Sequence, residues 1–157
     1  MIRNLSFRPM QLEDIDQVLA IEEASFSMPW SRDSLVHELD DDHGAHYIIA
    51  LQEDQVCGYA GFWQVFDEAH ITNIAVREDL RHQGVGEALL WEMDRLCRRL
   101  GILYQTLEVR VSNIPARSLY QKVGFASAGI RPGYYEKPRE DADILWKEVP
   151  YETISQK

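Results

Sequence analysis

Arg81-His82-Gln83-Gly84-Val85-Gly86 stands between an alternating apolar run, His70 to Val76, and an amphipathic helix that begins near Glu87. A glycine turn at a strand-to-helix junction leaves backbone N–H groups free, and the helix dipole adds partial positive charge there. The segment reads as an anion cradle. Two familiar versions are excluded, because a dinucleotide fingerprint needs a third glycine where this chain has Leu89, and a P-loop needs Gly-Lys followed by Ser or Thr. Arg77, Arg81 and His82 flank the turn and can gather positive charge, whereas Arg95, Arg98 and Arg99 lie at the far end of the helix and complement its C-terminal dipole. Further along, alternation puts Leu107, Val109 and Val111 on one face of a strand and Thr106, Glu108 and Arg110 on the other. Glu108 thus sits near the C-terminal end of a strand, where open α/β sheets keep their ligands. Its carboxylate can draw a proton from an incoming ammonium or serve as half of an ion pair with Arg110 or another cation, and the residues alone leave both readings open. Tyr120, with an ordinary pKa of about 10, can hand a proton to a leaving group of similar basicity; from the residues alone, a core tyrosine in a short helix is the simpler reading.

These groups need a frame, and the apolar periodicity predicts one. Leu5 to Arg8 reads as a strand; Leu12, Ile15, Val18, Leu19 and Ala24 give a helix that ends before Pro29; Ser31 caps a second helix through Leu35, Val36 and Leu39. His46 to Gln52, Gln55 to Val65 and Ala69 to Val76 read as an antiparallel meander. Leu89, Met93, Leu96, Cys97 and Leu100 form the buried stripe of a third helix that Gly101 stops. Because that helix is a crossover, Tyr104 to Val111 must run parallel to the strand before it. Ala116 to Lys122 is a short last helix, Phe125 to Ile130 and Ala142 to Val149 a closing hairpin, and Pro132, Gly133 and Pro138 predict an irregular loop that starts near Tyr134 and Tyr135.

Composition narrows the classes. A chain of 157 residues with 45% hydrophobic content is expected to be one domain, residues 1–150, with 151–157 as a flexible tail. Cys57 and Cys97 lie in apolar contexts without CxxC or His/Cys ligand spacing, so two buried thiols and no metal are expected. No apolar run approaches the roughly 20 residues of a membrane span, and the start of the chain leads directly into a strand; a cytoplasmic protein without a membrane partner is expected. The net charge of -10 argues against direct nucleic-acid binding and suits a basic partner, to which Glu38, Asp40, Asp41 and Asp42 could contribute, although an acidic run is more commonly a solvated helix end.

The glycine hexapeptide, Leu107-Glu108-Val109-Arg110-Val111-Ser112-Asn113 and Leu119-Tyr120-Gln121-Lys122-Val123-Gly124-Phe125 stand in the order and spacing of three motifs of the GNAT superfamily of acetyl-CoA-dependent N-acetyltransferases. Within it the chain resembles the bacterial RimI-type enzymes, which acetylate the N-terminal alanine of a small-subunit ribosomal protein, through Phe26-Ser27-Met28-Pro29-Trp30-Ser31, Thr72-Asn73-Ile74-Ala75-Val76, Gly133-Tyr134-Tyr135 and Glu140-Asp141-Ala142. The resemblance implies an α/β (α+β) fold with a central mixed, mostly antiparallel sheet of about seven strands, a parallel central pair and about four flanking helices. It also implies acetyl-CoA as cosubstrate, Glu108 as general base and Tyr120 as general acid. Coenzyme contacts are implied from Arg81, His82, Gln83, Gly84, Val85, Gly86 and Glu87, from the backbones of Ile74, Ala75 and Val76, and from Asn113. The acceptor, a basic protein or peptide N-terminus, is expected between Met28 and Trp30 on one side and Tyr134 and Tyr135 on the other, on a monomer or weak dimer. A polyamine, an amino acid or a drug as acceptor, or coenzyme binding without turnover, are the alternatives. Glu87 departs from the nearest relatives, which often carry a basic residue there; an acidic one is expected to repel the pyrophosphate and weaken coenzyme binding.

Overall fold

Residues 4–40 and 44–151 are described by a computed structural model. The elements follow as β1 (Ser6–Pro9), α1 (Ile15–Ser25), α2 (Arg32–Glu38), β2 (Ala45–Gln52), β3 (Gln55–Val65), β4 (Glu68–Val76), α3 (Val85–Leu100), β5 (Tyr104–Arg110), α4 (Ile114–Lys122), β6 (Ala126–Glu136) and β7 (Arg139–Glu148). Short 3₁₀ turns at Leu12–Asp14 and Glu78–Leu80 precede α1 and follow β4. The strands form one sheet in the order β1-β2-β3-β4-β5-β7-β6, antiparallel throughout except for β4 and β5. The expected architecture is therefore present, and α3 makes the crossover that forces the parallel pair.

Two apolar clusters lie on opposite faces of this sheet. One gathers Leu89, Leu90, Met93 and Cys97 of α3 and Tyr120 of α4 against Ala69, Ile71, Leu107, Val109 and Leu145. The other gathers Ile15, Val18 and Ile21 of α1 and Leu35 of α2 against Tyr47, Ile49, Val56, Tyr59 and Ala75, and draws nothing from β5, β6 or β7. The buried stripe of α3 follows from the i, i+4 spacing of Leu89, Met93 and Cys97, and Gly101, at φ +76, supplies the left-handed residue that ends the helix. Below the first cluster, Lys147 Nζ lies 2.9 Å from Asp94 Oδ2 and donates to the Val123 carbonyl at 2.8 Å, tying β7 and α3 to the C-terminal end of α4.

Sequence and structure part at three places. The helix α4 begins at Ile114 rather than Ala116, because Pro115 lies in the first turn, where no N–H is needed. The expected loop around Pro132 and Gly133 is instead part of β6, which runs on to Glu136. A break in register between Arg131 and Tyr135 absorbs the proline, which has no N–H to give a ladder, and Gly133 takes φ +63; Tyr134 and Tyr135 are therefore strand residues. Glu38 is not part of a solvated acidic face: its carboxylate is buried and accepts from the Tyr47 hydroxyl at 3.1 Å and Trp63 Nε1 at 2.7 Å, while Asp41 and Asp42 lie outside the described residues. Of the segment read as a tail only Tyr151 is described, and its hydroxyl donates to the Ile102 carbonyl at 2.6 Å. Both cysteines are buried and free, and among the described residues no helix is long and apolar enough to cross a membrane.

Candidate active site

The parallel pair is short. β4 and β5 are in register only from Glu68 opposite Tyr104 to His70 opposite Thr106, after which β4 continues to Val76 on β3 and β5 to Arg110 on β7 without pairing to each other. On its other side β4 carries a bulge, since Gly61 faces Asn73 while Phe62 faces Ile71 and Thr72 is left over. The extra residue increases local twist and helps to turn β4 away from β5. A cleft of about 620 Å³ occupies the opening, lined by Ile71 to Ile74 on one strand and Leu107 to Arg110 on the other.

Two titratable groups, Glu108 and Tyr120, reach this cleft from opposite faces of the sheet. Leu107 and Val109 point into the α3 and α4 cluster, so Glu108 between them points to the opposite face. There its Oε1 lies 2.9 Å from His70 Nε2, and the pair is asymmetric in exposure, His70 being 41% exposed and Glu108 11%. The hydrogen bond to His70 holds the Glu108 carboxyl below the usual carboxylate range, overriding its desolvation, and the same bond raises His70 above the usual imidazole value. The partner of Glu108 is thus His70, whereas Arg110 turns to the β6–β7 hairpin; the readings of Glu108 as a base and as half of an ion pair both stand. Tyr120 lines the cleft from the α4 side, edge-on to Phe125 with ring centroids 5.7 Å apart. Burial pushes its phenol up, so the proton stays in place at any ordinary pH. Among the described residues no group accepts from its hydroxyl, which leaves the O–H free to act toward the cleft.

The glycine turn has the geometry of an anion site. His82 and Gly84 both have left-handed backbones, at φ +63 and +92, and Gly84 caps α3 without any side chain satisfying the first-turn N–H groups. A Cβ on Gly86 would meet Leu119 Cδ2 at 3.1 Å, so this glycine lets α3 and α4 approach. Arg81 is turned back onto the fold, Nη2 donating to Ser25 Oγ at 2.9 Å and Nε to the Val76 carbonyl at 3.2 Å, and Gln83 Nε2 donates to the Asp79 carbonyl at 3.4 Å. Glu87 has partners that were not visible in the sequence: Lys122 Nζ lies 3.0 Å from Oε1, and Trp91 Nε1 donates to Oε2 at 3.2 Å. The Lys122 contact lowers the Glu87 carboxyl and offsets the charge expected to repel an anion there. Asn113 caps α4, its Oδ1 accepting from the Ala116 N–H at 3.2 Å, and lines the cleft as well. Ile74, Ala75 and Val76 lie on the stretch of β4 that has left β5, with Ala75 buried under α1.

The remaining rim comes from two segments far apart in sequence. Met28 is exposed and Trp30 half-buried in the turn between α1 and α2, and the Trp30 N–H donates to Glu22 Oε2 at 2.9 Å. Glu22, buried at the end of α1, also accepts from the Tyr59 hydroxyl, and its desolvation raises its pKa. Ser27 Oγ donates to the Lys137 carbonyl at 2.5 Å, which bridges this turn to the tip of the β6–β7 hairpin. Arg110 secures the tip: it donates to the Pro138 and Lys137 carbonyls at 2.8 and 3.2 Å, pairs with Glu140 at 3.3 Å and stacks 4.3 Å above the Tyr135 ring. Tyr134 and Tyr135 meet edge to face at 5.0 Å, and burial brings the Tyr135 phenol up to about 12. The catalytic, coenzyme and acceptor candidates thus gather around one opening and the adjoining glycine turn. Sequence reasoning missed His70, Glu22 and Arg110 as parts of the site. Glu22 had a signal, a carboxylate one turn after Val18 on the apolar stripe of α1; His70 had none, since its pairing depends on the β4–β5 register.

The chain is similar to known proteins in sequence and in fold. Residues 15–125 match the acetyltransferase (GNAT) family model. A relative from Bacillus subtilis (strain 168), provisionally named a [ribosomal protein bS18]-alanine N-acetyltransferase, is 46% identical over 139 residues, 88% of this chain and 92% of its own. The [ribosomal protein bS18]-alanine N-acetyltransferase of Escherichia coli (strain K12) is 34% identical over 140 residues, 87% of this chain and 92% of its own. A crystal structure of the ribosomal-protein-S18-alanine N-acetyltransferase from Escherichia coli superposes with a TM-score of 0.86 at 30% identity, covering 94% of this chain and 96% of that one. The chain belongs to the GNAT family of acetyltransferases, enzymes that take their acetyl group from acetyl-CoA.

Proposed function

We propose that this enzyme acetylates the α-amino group of a protein N-terminus, the N-terminal alanine of a small-subunit ribosomal protein, by direct attack of the amine on the thioester. The observation that carries the reading is the placement of Glu108 and Tyr120 on opposite sides of one opening in the sheet; the names of the relatives supply the acceptor. Acetyl-CoA supplies the activated acyl group. The glycine turn fits its pyrophosphate, because the uncapped α3 N-terminus offers N–H donors, and Ile74 and Ala75, paired to β3 on one side, have no strand partner on the side that faces β5, where an extended arm can lie. Glu108 accepts a proton from the acceptor ammonium on the face where His70 lies, and the amine, once neutral, is held within the opening. As the N–C bond forms and the C–S bond breaks, Tyr120 protonates the departing sulfur from the other face, and the proton that the attacking nitrogen still carries passes to solvent, from which Tyr120 regains its own. Neither cysteine takes part, since burial raises both thiols and so disfavours the thiolate needed for attack.

Two experiments test this reading. A mass-spectrometric assay over peptides differing only in the first residue is expected to find alanine preferred, with kcat/KM well above that for spermidine. Equal values for spermidine and the best peptide would transfer the assignment to small amines. For the coenzyme, acetyl-CoA is expected to raise the melting temperature of the wild type by mass action, and Gly86→Val to lose most of that shift, since a branched side chain would push α3 from α4 at the cradle. An undiminished shift in a Gly86→Val protein would place the pyrophosphate elsewhere.

A further inference from the structure

Asp94, Gln105, Asp143 and Lys147 are buried where the sheet packs on α3 and α4, and the proposed reaction uses none of them. Gln105 and Lys147 are register partners on β5 and β7, and both reach Asp94 of α3: Gln105 Nε2 donates to Oδ1 at 2.8 Å, and Lys147 Nζ lies 2.9 Å from Oδ2. The same ammonium donates to the Val123 carbonyl at 2.8 Å and lies 5.3 Å from the Trp91 ring and 5.4 Å from the Phe125 ring. A buried ion pair carries a desolvation penalty that apolar side chains of similar volume avoid, and Gln105 Oε1 has no partner among the described residues, so net stability does not account for the group. What such a pair can fix is position.

The position it fixes is the end of α4. There the Phe125 N–H donates to the Tyr120 carbonyl at 3.0 Å and the Gly124 N–H to the Gln121 carbonyl at 3.1 Å, with Gly124 at φ +108. These are the two bonds of a Schellman closure, and its accompanying apolar contact is the Tyr120 ring against Phe125. The motif therefore holds Tyr120 by its backbone and by its ring. The Val123 carbonyl is left over by the closure, and Lys147 takes it. Nearer the start of α4, Arg117 donates to Asp143 Oδ2 at 3.0 Å and to the Val111 carbonyl at 2.8 Å. Two charged residues of β7, four apart on one face, thus grip α4 on either side of Tyr120.

We infer that Lys147, held by Asp94, is a positioning residue for Tyr120: by anchoring the closing turn of α4 to α3 and β7, it sets where the phenol hydroxyl meets the cleft. The inference rests on the reading of Tyr120 as the acid and adds to it the residues that aim the hydroxyl. A proton donor acts only within hydrogen-bond reach of the departing atom, so a small displacement of α4 lowers the rate while the coenzyme cradle, built on the other end of α3, keeps its affinity.

The test variant is Asp94→Asn/Lys147→Met, which removes both charges together, leaves neither buried alone and keeps an acceptor for Gln105. It is expected to melt near the wild-type temperature and to hold KM and Kd for acetyl-CoA within about twofold, while kcat falls about tenfold. In a Tyr120→Phe background the same two substitutions are expected to lower kcat by no more than about twofold, because an absent hydroxyl cannot be misplaced. A lowered melting temperature with wild-type kcat assigns the pair to stability and overturns the positioning role. Equal losses of kcat in the two backgrounds overturn it as well, and both outcomes leave Tyr120 standing as the acid. Wild-type kcat in Tyr120→Phe alone overturns the acid reading and the inference with it. A further check needs no variant to fold: in the wild type the Gly124 and Phe125 amides are expected to exchange with solvent deuterium as slowly as those in the middle of α3. Exchange as fast as at a frayed helix end overturns the anchoring.

Discussion

Replacing Tyr120 by phenylalanine is expected to lower kcat by about 10²- to 10³-fold while the protein melts at nearly the wild-type temperature and binds acetyl-CoA with nearly unchanged affinity. The separation follows from the surroundings of the ring. The ring belongs to the core and meets Phe125 edge-on, and phenylalanine fills the same volume with the same edge-to-face preference. The hydroxyl makes no hydrogen bond within the described fold, so its removal orphans no buried partner and incurs no desolvation penalty. What disappears, on the proposed reaction, is the donor to the departing sulfur. Burial holds the phenol above its ordinary value, which keeps it protonated and postpones transfer until a thiolate of similar basicity forms in the same poorly solvated cleft. The check is a steady-state comparison with acetyl-CoA saturation measured alongside, and a Tyr120→Phe enzyme with wild-type kcat would return Tyr120 to a packing role and leave the thiolate to be protonated by water.

Much of this site could be read before any coordinates, for identifiable reasons. The alternation around Glu108 fixes which face it takes, since strand period is two and Leu107 and Val109 have to be buried. The crossover helix fixes that β4 and β5 run parallel. The glycine turn announces itself because left-handed backbone and an uncapped helix start leave a compositional mark. What stayed hidden depends on long-range pairing. His70 reaches Glu108 across 38 residues of sequence, Lys122 reaches Glu87 from another helix, and Ser27 reaches Lys137 across 110 residues. The loop expected at Pro132 failed for a related reason: a bulge keeps a strand going through a proline when the partner strand holds register on both sides, as β7 does through Asp143 and Glu140.

Glu108→Gln is expected to depress kcat/KM by about 10²-fold near pH 6, with the deficit shrinking to a few-fold by about pH 9. An acceptor α-amine, with a pKa near about 8, is mostly ammonium at the lower pH and mostly free at the higher one, so a missing base matters least where the solvent has already removed the proton. Tyr120→Phe should show no such recovery, since a free amine does not supply a proton to sulfur. His70 refines the profile. While its imidazole is protonated it holds the Glu108 carboxyl low and makes it a reluctant acceptor; as pH rises through the raised His70 value, the imidazole loses its charge and Glu108 gains basicity. The wild-type rate should therefore climb through that region, and His70→Gln, which keeps a donor without the charge, should be comparatively more active below about pH 7. Stability runs the other way. The raised His70 value stabilises the fold fully below the unfolded imidazole value of about 6.5 and loses that contribution as pH rises through the folded one; the lowered Glu108 value contributes above the ordinary carboxylate range and loses it as pH falls through the folded one. The difference in melting temperature between wild type and His70→Gln should accordingly be greatest between about pH 5 and pH 6 and vanish by about pH 9, opposite in trend to the rate. Identical rate profiles for wild type and His70→Gln across that range would mean that the imidazole does not govern the basicity of Glu108, and a Glu108→Gln enzyme with full activity near pH 6 would leave the acceptor's proton to water or a backbone carbonyl.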